Sequence, residues 1–475
     1  MAVLALRSIT ISIKDQQHAD NVLRYLTSNP SQHIRSLSFS GAKRSHDCDD
    51  RDDWDFHIEP VVTLRQLPCG LSNLELHRLG QQLQPHRPRK GVDSAAARPR
   101  LKQLRLKDCK LLGGAKGLAA ALSNLPELEH LKVDTLRTGN RSYGFFFTTS
   151  TLTQLQQLTY LELAHIYVRG PDKASAPLQP LQALTRLADF RLVGGYTTYN
   201  HLVLAGMLSG SHGLTRLSCA WACIEPDVLA GHTRLQRLQL QHCVLHSDHP
   251  SRVRVVQLLG HVQELTQLTH LQLQGTLISV EPPAALAYSA LTASSRLAVL
   301  DISCCVLPVG VWRHIFPAGR QLQQLRSLHI SQVREPFAAS AAAPEGSRLV
   351  SCCPGLQSLD MHGLQCGSEV LGPLQGLSGL RTLLLADPCV GALNDNALAE
   401  AGGRGFEAVC QLTGLRELSL QEPDTPEGLL LKLAQLQQLT RLTYMGMLND
   451  SSKMRFFKSN NTVGATAGQA CSPLC

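Results

Sequence analysis

A six-residue pattern constrains this chain more than any other feature. Leucine, two variable residues, leucine, one variable residue and leucine (L-x-x-L-x-L, with aliphatic or aromatic replacements) recurs along its length. Copies start at Leu6, Ile34, Leu71, Leu101, Leu128, Leu158, Leu187, Leu214, Leu235, Leu268, Leu297, Leu325, Leu356, Leu380, Leu415 and Leu439, at a mean spacing of about 29 residues. LKQLRL at Leu101, LTYLEL at Leu158, LQRLQL at Leu235, LTHLQL at Leu268 and LRELSL at Leu415 are clear copies; LRSITI at Leu6 and LADFRL at Leu187 are weaker. One such hexamer arises by chance in a leucine-rich chain, but sixteen near a fixed period do not. The inner x-L-x-L-x alternates with period two, which predicts a short half-buried strand. One strand cannot bury its apolar face alone, so the copies are expected to stack into a parallel sheet over a continuous core.

A repeat array also changes how length is read. At about 150 residues per domain, 475 residues suggest three globular domains, whereas a solenoid grows by stacking. The composition fits stacking: 43% of residues are hydrophobic and only 5% aromatic, so the core is aliphatic. The formal charge of +8 is mild over this length and falls short of a dedicated nucleic-acid binder. No apolar run reaches the ~18 residues of a membrane span. MAVLALRSITISIK lacks a basic n-region and is interrupted by Arg7, which argues against a secretory signal. The 15 cysteines are therefore expected as free thiols in a reducing, cytoplasmic setting. The sequons at Asn140, Asn449 and Asn460 carry no glycosylation expectation there, and the terminal CSPLC is not a prenylation box.

Three copies extend further. LKQLRLKDCKL (101–111), LQRLQLQHCVL (235–245) and LAVLDISCCVL (297–307) each place a cysteine at the ninth position and leucine at the eleventh. This resembles the leucine-rich-repeat family, whose pattern is L-x-x-L-x-L-x-x-N/C-x-L. The resemblance implies an α/β horseshoe solenoid of about 16 repeats, with a parallel sheet on the concave face and helices and turns on the convex face. It also gives Cys109, Cys243 and Cys305 the role of a structural ladder that hydrogen-bonds the turn after each strand. Thr276 with Ile278 is a conservative departure from that slot; Ile166, Gly195 and Pro388 are not. Abundant Ala and Gln, with an L-x-x-L-x-x-L run into each strand, make the chain similar to leucine-rich-repeat proteins of green algae. Proteins of that kind are placed in the cytoskeleton or the ciliary axoneme.

Outer segments with apolar residues spaced three and four apart predict helices at 117–128, 252–265 and 427–439. Copies only 21 or 24 residues long leave room for a shorter turn. The solenoid is expected over 1–448, with loop insertions near 42–60, 80–100 and 386–405, and a polar, small-residue tail over 449–475 reads as disordered. The first insertion is acidic (DCDDRDDWD) and the second basic (Arg87, Arg89, Lys90, Arg98, Arg100). Solvated loops are the simplest reading of both.

Catalytic motifs are missing. There is no P-loop, G-x-S-x-G, dinucleotide fingerprint or H-E-x-x-H. HCVLHSDH gathers His242, Cys243, His246 and His249, but the ladder role of Cys243 and the lack of a second ligand pair argue against zinc. The acidic run after Asp47 lacks the order of a calcium loop. Cys304/Cys305 and Cys352/Cys353 are not C-x-x-C pairs and read as core thiols. The sequence thus predicts no enzyme, no metal and no cofactor.

What remains is the outward row of each strand, at the third, fifth and seventh motif positions. It carries Arg105, Lys107, Lys132, Arg191, Arg216, Arg237 and Arg441 against Glu75, Asp134, Glu162, Asp189, Asp301, Asp360 and Glu417. Seven cations balance seven anions, with Tyr160 among them. A nucleic-acid groove would show excess positive charge and stacking aromatics. The balance therefore points to a protein partner docking on Arg105, Lys107, Lys132, Tyr160, Glu162, Arg191, Arg216 and Arg237. Sixteen strands at about 4.8 Å would give a strip of roughly 75 Å, long enough for an interface of about 800 Å² per partner. The expected role is a non-catalytic scaffold or adaptor. The alternatives are a ubiquitin-ligase substrate receptor, although no F-box-like helical segment precedes Leu6, and a small-GTPase regulator, although Lys453, Arg455 and Lys458 stand where an acidic tail would be needed.

Overall fold

The computed structural model describes residues 8–28, 34–41, 71–77, 80–82, 100–107, 109–112, 122–123, 125–134, 154–164, 184–194, 208, 211–245, 251–279, 282–334, 344–364, 368–386, 407–421 and 433–444. The chain divides into two units, Met1–Arg234 and Leu235–Cys475. Each of the sixteen motif copies supplies one strand, eight to each unit.

In the first unit the strands are β1 (Ser8–Ile13), β2 (Ser36–Gly41), β3 (Asn73–His77), β4 (Gln103–Lys107), β5 (His130–Asp134), β6 (Tyr160–Ala164), β7 (Asp189–Val193) and β8 (Arg216–Ala220). Each pairs in parallel with the next in chain order. The register aligns one motif position along the sheet: Leu37, Leu74, Leu104, Leu131, Leu161, Phe190 and Leu217 are successive partners. All seven are buried. A one-residue slip in any strand would turn its apolar row to solvent, so burial fixes the register.

The second unit repeats the plan with β9 (Arg237–Gln241), β10 (His270–Gln272), β11 (Val299–Asp301), β12 (Ser327–His329), β13 (Ser358–Asp360), β14 (Thr382–Ala386), β15 (Glu417–Gln421) and β16 (Arg441–Tyr444). Leu238, Leu271, Leu300, Leu328, Leu359, Leu383, Leu418 and Leu442 form its equivalent row. Each such leucine removed from water stabilises the stack by about 1.5–3 kcal/mol.

The entry to each strand is a second repeating device. The first leucine of the motif closes a tight turn onto the residue three before it, as in Leu158 N–H to Leu155 O at 3.0 Å and Leu325 N–H to Leu322 O at 3.0 Å. The next two N–H groups then share one carbonyl of the preceding repeat. Lys102 and Gln103 both donate to Ser72 O (2.8 and 2.9 Å), and Ala298 and Val299 both donate to Thr269 O (2.8 and 3.1 Å). Threonine after the leucine adds a hydroxyl to the same acceptor row: Thr159 Oγ1 to Glu129 O, Thr215 Oγ1 to Ala188 O and Thr269 Oγ1 to Gln236 O, all 3.0–3.1 Å. The recurrent Leu-Thr dipeptide has this local cause.

Between strands the chain returns by segments of different kinds. Helix α1 (Gln16–Ser28) starts at Asp15, whose Oδ1 accepts the His18 N–H at 2.7 Å as a cap. It buries Ala19, Leu23 and Leu26 along one stripe. Helix α2 (Ser251–Glu264) does the same with Val255, Leu258, Leu259 and Val262. The short copy after Leu214 returns through a 3-10 turn at Pro226–Leu229, and that after Leu415 through Leu433–Gln435. Of the expected helices at 117–128 and 427–439, residues 117–121, 124 and 427–432 lie outside the described residues, as do 42–60, 83–99, 387–405 and 449–475. Gly80–Gln82, inside the second expected insertion, is a short strand paired in parallel with Lys110–Leu112. No helix among the described residues is long and apolar enough to cross a membrane.

Candidate partner-binding faces

Alternation within each strand leaves the third, fifth and seventh motif positions facing away from the leucine core. In β4 the pattern is clear: Leu104 and Leu106 are buried while Arg105 and Lys107 are exposed. Because the register is constant, side chains at one motif position in adjacent repeats become neighbours, about 4.8 Å apart along the sheet.

In the first unit this brings together the residues around Tyr160. Its ring stacks on His130 of the preceding strand, with centroids 5.6 Å apart, and the Arg191 guanidinium lies 5.3 Å from its centroid on a neighbouring strand. Its hydroxyl donates to Glu162, which also accepts Lys132 Nζ at 2.7 Å. Arg191 in turn donates two parallel bonds to Asp189, Nε to Oδ1 and Nη2 to Oδ2, both 3.2 Å. Arg216 Nη1 approaches the same carboxylate at 3.6 Å. Burial, reinforced by the bond to Glu162, raises the Tyr160 phenol, so it stays protonated as a donor. The Asp189 bond raises the Arg191 guanidinium above its usual range. A bidentate pair fixes geometry as well as charge, and the cation–π contact adds about 0.5–1 kcal/mol at an exposed site.

Five of the expected residues, Lys132, Tyr160, Glu162, Arg191 and Arg216, therefore share one network. Arg105 and Lys107 stand exposed on β4, and Arg237 is exposed on β9 of the second unit. Two residues outside the expected set complete the network. Asp189 carries both arginines and His130 supports the ring. Both occupy the third motif position, the same as Tyr160; Asp189 stands in the outward row by its charge, and comparing that position across the repeats would have added His130.

At Cys109, Thr276 and Cys305 the ninth-position side chain ties its turn to the repeat before it. Cys109 Sγ donates to Leu76 O and to Lys107 O, both at 3.3 Å. Cys305 Sγ donates to Leu273 O at 3.1 Å, and Cys243 Sγ lies 3.6 Å from Gln241 O. Thr276 fills the slot between them: its Oγ1 donates to Leu240 O at 2.9 Å and accepts the Cys243 N–H at 3.3 Å. Burial pushes the Cys305 thiol up to about 12, which keeps it a donor. The residue just before the slot takes the left-handed region, with φ of 54° at Trp221, 50° at His242, 60° at Gly275, 59° at Cys304, 53° at Gln332 and 74° at Gly363. The turn aims its N–H along the stack: His242 to Gln274 O, Gly275 to Ser303 O, Cys304 to Ser331 O and Gln332 to His362 O, at 2.6–2.8 Å.

His242 and Cys243 are thus occupied by the turn, and the rest of the HCVLHSDH stretch, 246–249, lies outside the described residues. Among the described residues no group of three His, Cys, Asp or Glu could hold a metal.

No protein-family model and no curated protein sequence matches the chain. Among solved structures, an internalin (inlF) of Listeria monocytogenes is 14% identical, covers 84% of this chain and 82% of its own, and superposes with a TM-score of 0.40. TLR13, in a structure with ssRNA13, is 16% identical over 97% of this chain and 71% of its own, with a TM-score of 0.42. The functional domain of InlJ from Listeria monocytogenes, described as including a cysteine ladder, is 17% identical over 70% of this chain and 62% of its own, at a TM-score of 0.34. The chain's own geometry carries the assignment: one strand per motif copy, a constant parallel register within each unit, a shared-carbonyl entry and, at Cys109, Thr276 and Cys305, a ninth-position bond to the preceding repeat. On that geometry, it is a leucine-rich-repeat solenoid.

Proposed function

We propose that the chain is a non-catalytic scaffold that binds a protein partner on its outward strand face, with Tyr160 of the first unit as the anchor. The observation that carries this reading is the fixation of Tyr160 by His130, Glu162 and Arg191. A held aromatic loses little side-chain entropy on docking, and tyrosine and arginine dominate binding hot spots. The carboxylates around it offset the cations, which suits a protein surface better than a phosphate backbone. Lys132, Glu162, Arg191 and Arg216 frame the anchor, and Arg105, Lys107 and Arg237 supply further exposed charge for orientation.

The test is an affinity measurement with a partner identified by cross-linking in native cells. Tyr160→Ala is expected to weaken binding about 30-fold or more, and the combined reversal Arg191→Glu, Arg216→Glu and Arg237→Glu to abolish it. Unchanged affinity in both would remove the face from consideration.

A reducing, cytoplasmic setting belongs to the same proposal. Cys109 and Cys305 act through S–H donation to backbone carbonyls, which an oxidised sulfur cannot supply. Oxidising treatment should therefore loosen the turns before it touches the leucine rows.

A further inference from the structure

The second unit carries a cluster that the docking reading does not use. Ser327 and His329 stand at the third and fifth motif positions of β12, two residues apart and on the same face. Ser327 Oγ and His329 Nε2 are 2.7 Å apart. The other ring nitrogen, Nδ1, faces Asp360 Oδ2 of β13 at 3.7 Å. Asp360 is itself oriented, because its Oδ1 accepts the His362 N–H at 3.1 Å. On the opposite side β11 places Asp301 at the register position of His329, its Oδ1 held by the Ser303 N–H at 3.0 Å. The titratable groups facing the imidazole are therefore Asp301 and Asp360, with His362 two residues beyond Asp360 on the same face.

This arrangement fixes the proton. A carboxylate opposite Nδ1 holds the N–H there, leaving Nε2 as the acceptor of the Ser327 hydroxyl. That is the tautomer a serine nucleophile requires of its base. We propose that Ser327 is an activated nucleophile, with His329 as its general base and Asp360 as the positioning residue, and that it takes an acyl group from activated acyl donors such as aryl esters or thioesters. The Ser327 oxygen attacks the carbonyl carbon, and the hydroxyl proton passes to His329 Nε2. The carbon–heteroatom bond to the leaving group breaks, and that group departs with the electron pair. The imidazolium then returns its proton to the leaving group or to water. The product is an O-acyl serine plus an alcohol or thiol.

The surroundings limit the chemistry to that one step. The Ser327 N–H is committed to Ala298 O at 3.0 Å and the Ser358 N–H to Arg326 O at 2.9 Å, so neither strand N–H is available as an oxyanion donor beside the hydroxyl. A donor with a good leaving group is needed, and acylation without turnover is the outcome.

Ser358 supplies an internal control. It is the register partner of Ser327 on β13, at the same motif position, and the fifth position of its own strand is Asp360 rather than a histidine. The full chain is treated with p-nitrophenyl acetate over a range of pH, and acetylation is followed at each serine by peptide mass spectrometry. Ser327 is expected to react on the order of 100-fold faster than Ser358, the scale of general-base catalysis. Its rate should rise with pH through a single ionisation above the ordinary histidine range, because Asp360 and Asp301 hold the His329 proton. His329→Gln should bring Ser327 down to the rate of Ser358. Asp360→Asn should move the midpoint to lower pH, an effect that a merely structural role would not produce. Equal rates at the two serines in the unmodified chain overturn the proposal, whatever the variants do, and so does a pH profile unchanged in a folded His329→Gln protein.

Discussion

Nine charged side chains occupy outward strand positions in the Met1–Arg234 unit, from Glu75 to Arg216, against five in the Leu235–Cys475 unit: Arg237, Asp301, Asp360, Glu417 and Arg441. In the first unit charge is spent on a network around one aromatic ring. In the second, hydroxyl, amide and imidazole groups fill most of the row; Asp301 and Asp360 fasten to backbone N–H groups two residues on, at Ser303 and His362, and Glu417 faces Arg441. The buried rows beneath are nearly the same, leucine against leucine with Phe190 as a variation. The contrast shows that the strand face is free to vary while the core is not. Selection on either face can proceed without repacking, because alternation separates the two sets of side chains.

If the cores are equivalent, a buried leucine should cost the same in either unit. Leu161→Ala and Leu300→Ala are each expected to lose about 2–5 kcal/mol by denaturant unfolding, and a large gap between them would break the equivalence. The turns should separate the units more sharply. Gly194 in the first unit leaves no room for a Cβ against the Trp221 carbonyl, which is backbone, whereas a Cβ at Gly275 in the second would meet the His242 imidazole. Gly275 also has positive φ. Gly275→Ala should cost about 1–3 kcal/mol, partly recovered by adding His242→Ala; Gly194→Ala should have no such side-chain rescue.

The ladder comes next in size. Thr276→Val removes the hydroxyl that serves Leu240 O and the Cys243 N–H, and should cost about 1–2 kcal/mol. Cys305→Ala, losing a weaker sulfur donor to Leu273 O, should cost less than Thr276→Val. Thermal melts of the two variants, side by side, give the ranking.

The smallest effects distinguish the units by pH. His232 in the first unit is buried, and its ring nitrogens sit by the carbonyls of Ser211 and Val228 without completing a hydrogen bond to either. Burial, with His212 nearby, lowers its pKa below 6.5. The unfolded chain then binds that proton first, so stability is present above pH 6.5 and falls as pH drops through 6.5 toward the folded value. His329 has the opposite sign. Asp360 raises its pKa above 6.5, so its contribution is full below that pH and is lost as pH rises through the folded value. Hydrogen exchange at about pH 5.5 and about pH 8, corrected for intrinsic rates, should show acid loosening around His232 and acid tightening around His329. His232→Phe and His329→Gln should erase the respective responses.

The period-two alternation made the strand stack legible in sequence, since each of the sixteen copies delivers a strand. Other features were hidden for physical reasons. Trp221, Cys304 and Gln332 adopt the left-handed region although none is a residue type enriched there, and His242, a type that is, joins them. In three of them, His242, Cys304 and Gln332, a strong N–H bond to the following repeat accompanies the conformation, a tertiary cause that no single-repeat pattern contains. Helix α1 is not legible in the sequence because its apolar stripe of Ala19, Leu23 and Leu26 is sparse and interrupted by polar residues. The Ser327–His329–Asp360 cluster combines two residues of one strand with a third from the next, and becomes visible only when repeats are laid over one another position by position.

The shared carbonyl at each strand entry has a consequence for how such a chain can change length. What one repeat demands of the next is a short stretch of backbone: an acceptor for two N–H groups, then a few residues of register. Nothing in that demand refers to the return path. A fourteen-residue helix, Ser251–Glu264, and a three-residue 3-10 turn, Leu433–Gln435, both deliver their chain to equivalent entries, Thr269 and His270 at Gln236 O and Thr440 and Arg441 at Arg416 O. Outer segments behave as exchangeable cassettes between fixed couplings, so a foreign peptide inserted after the exposed Val309 should be carried as cargo while the couplings on either side stay closed.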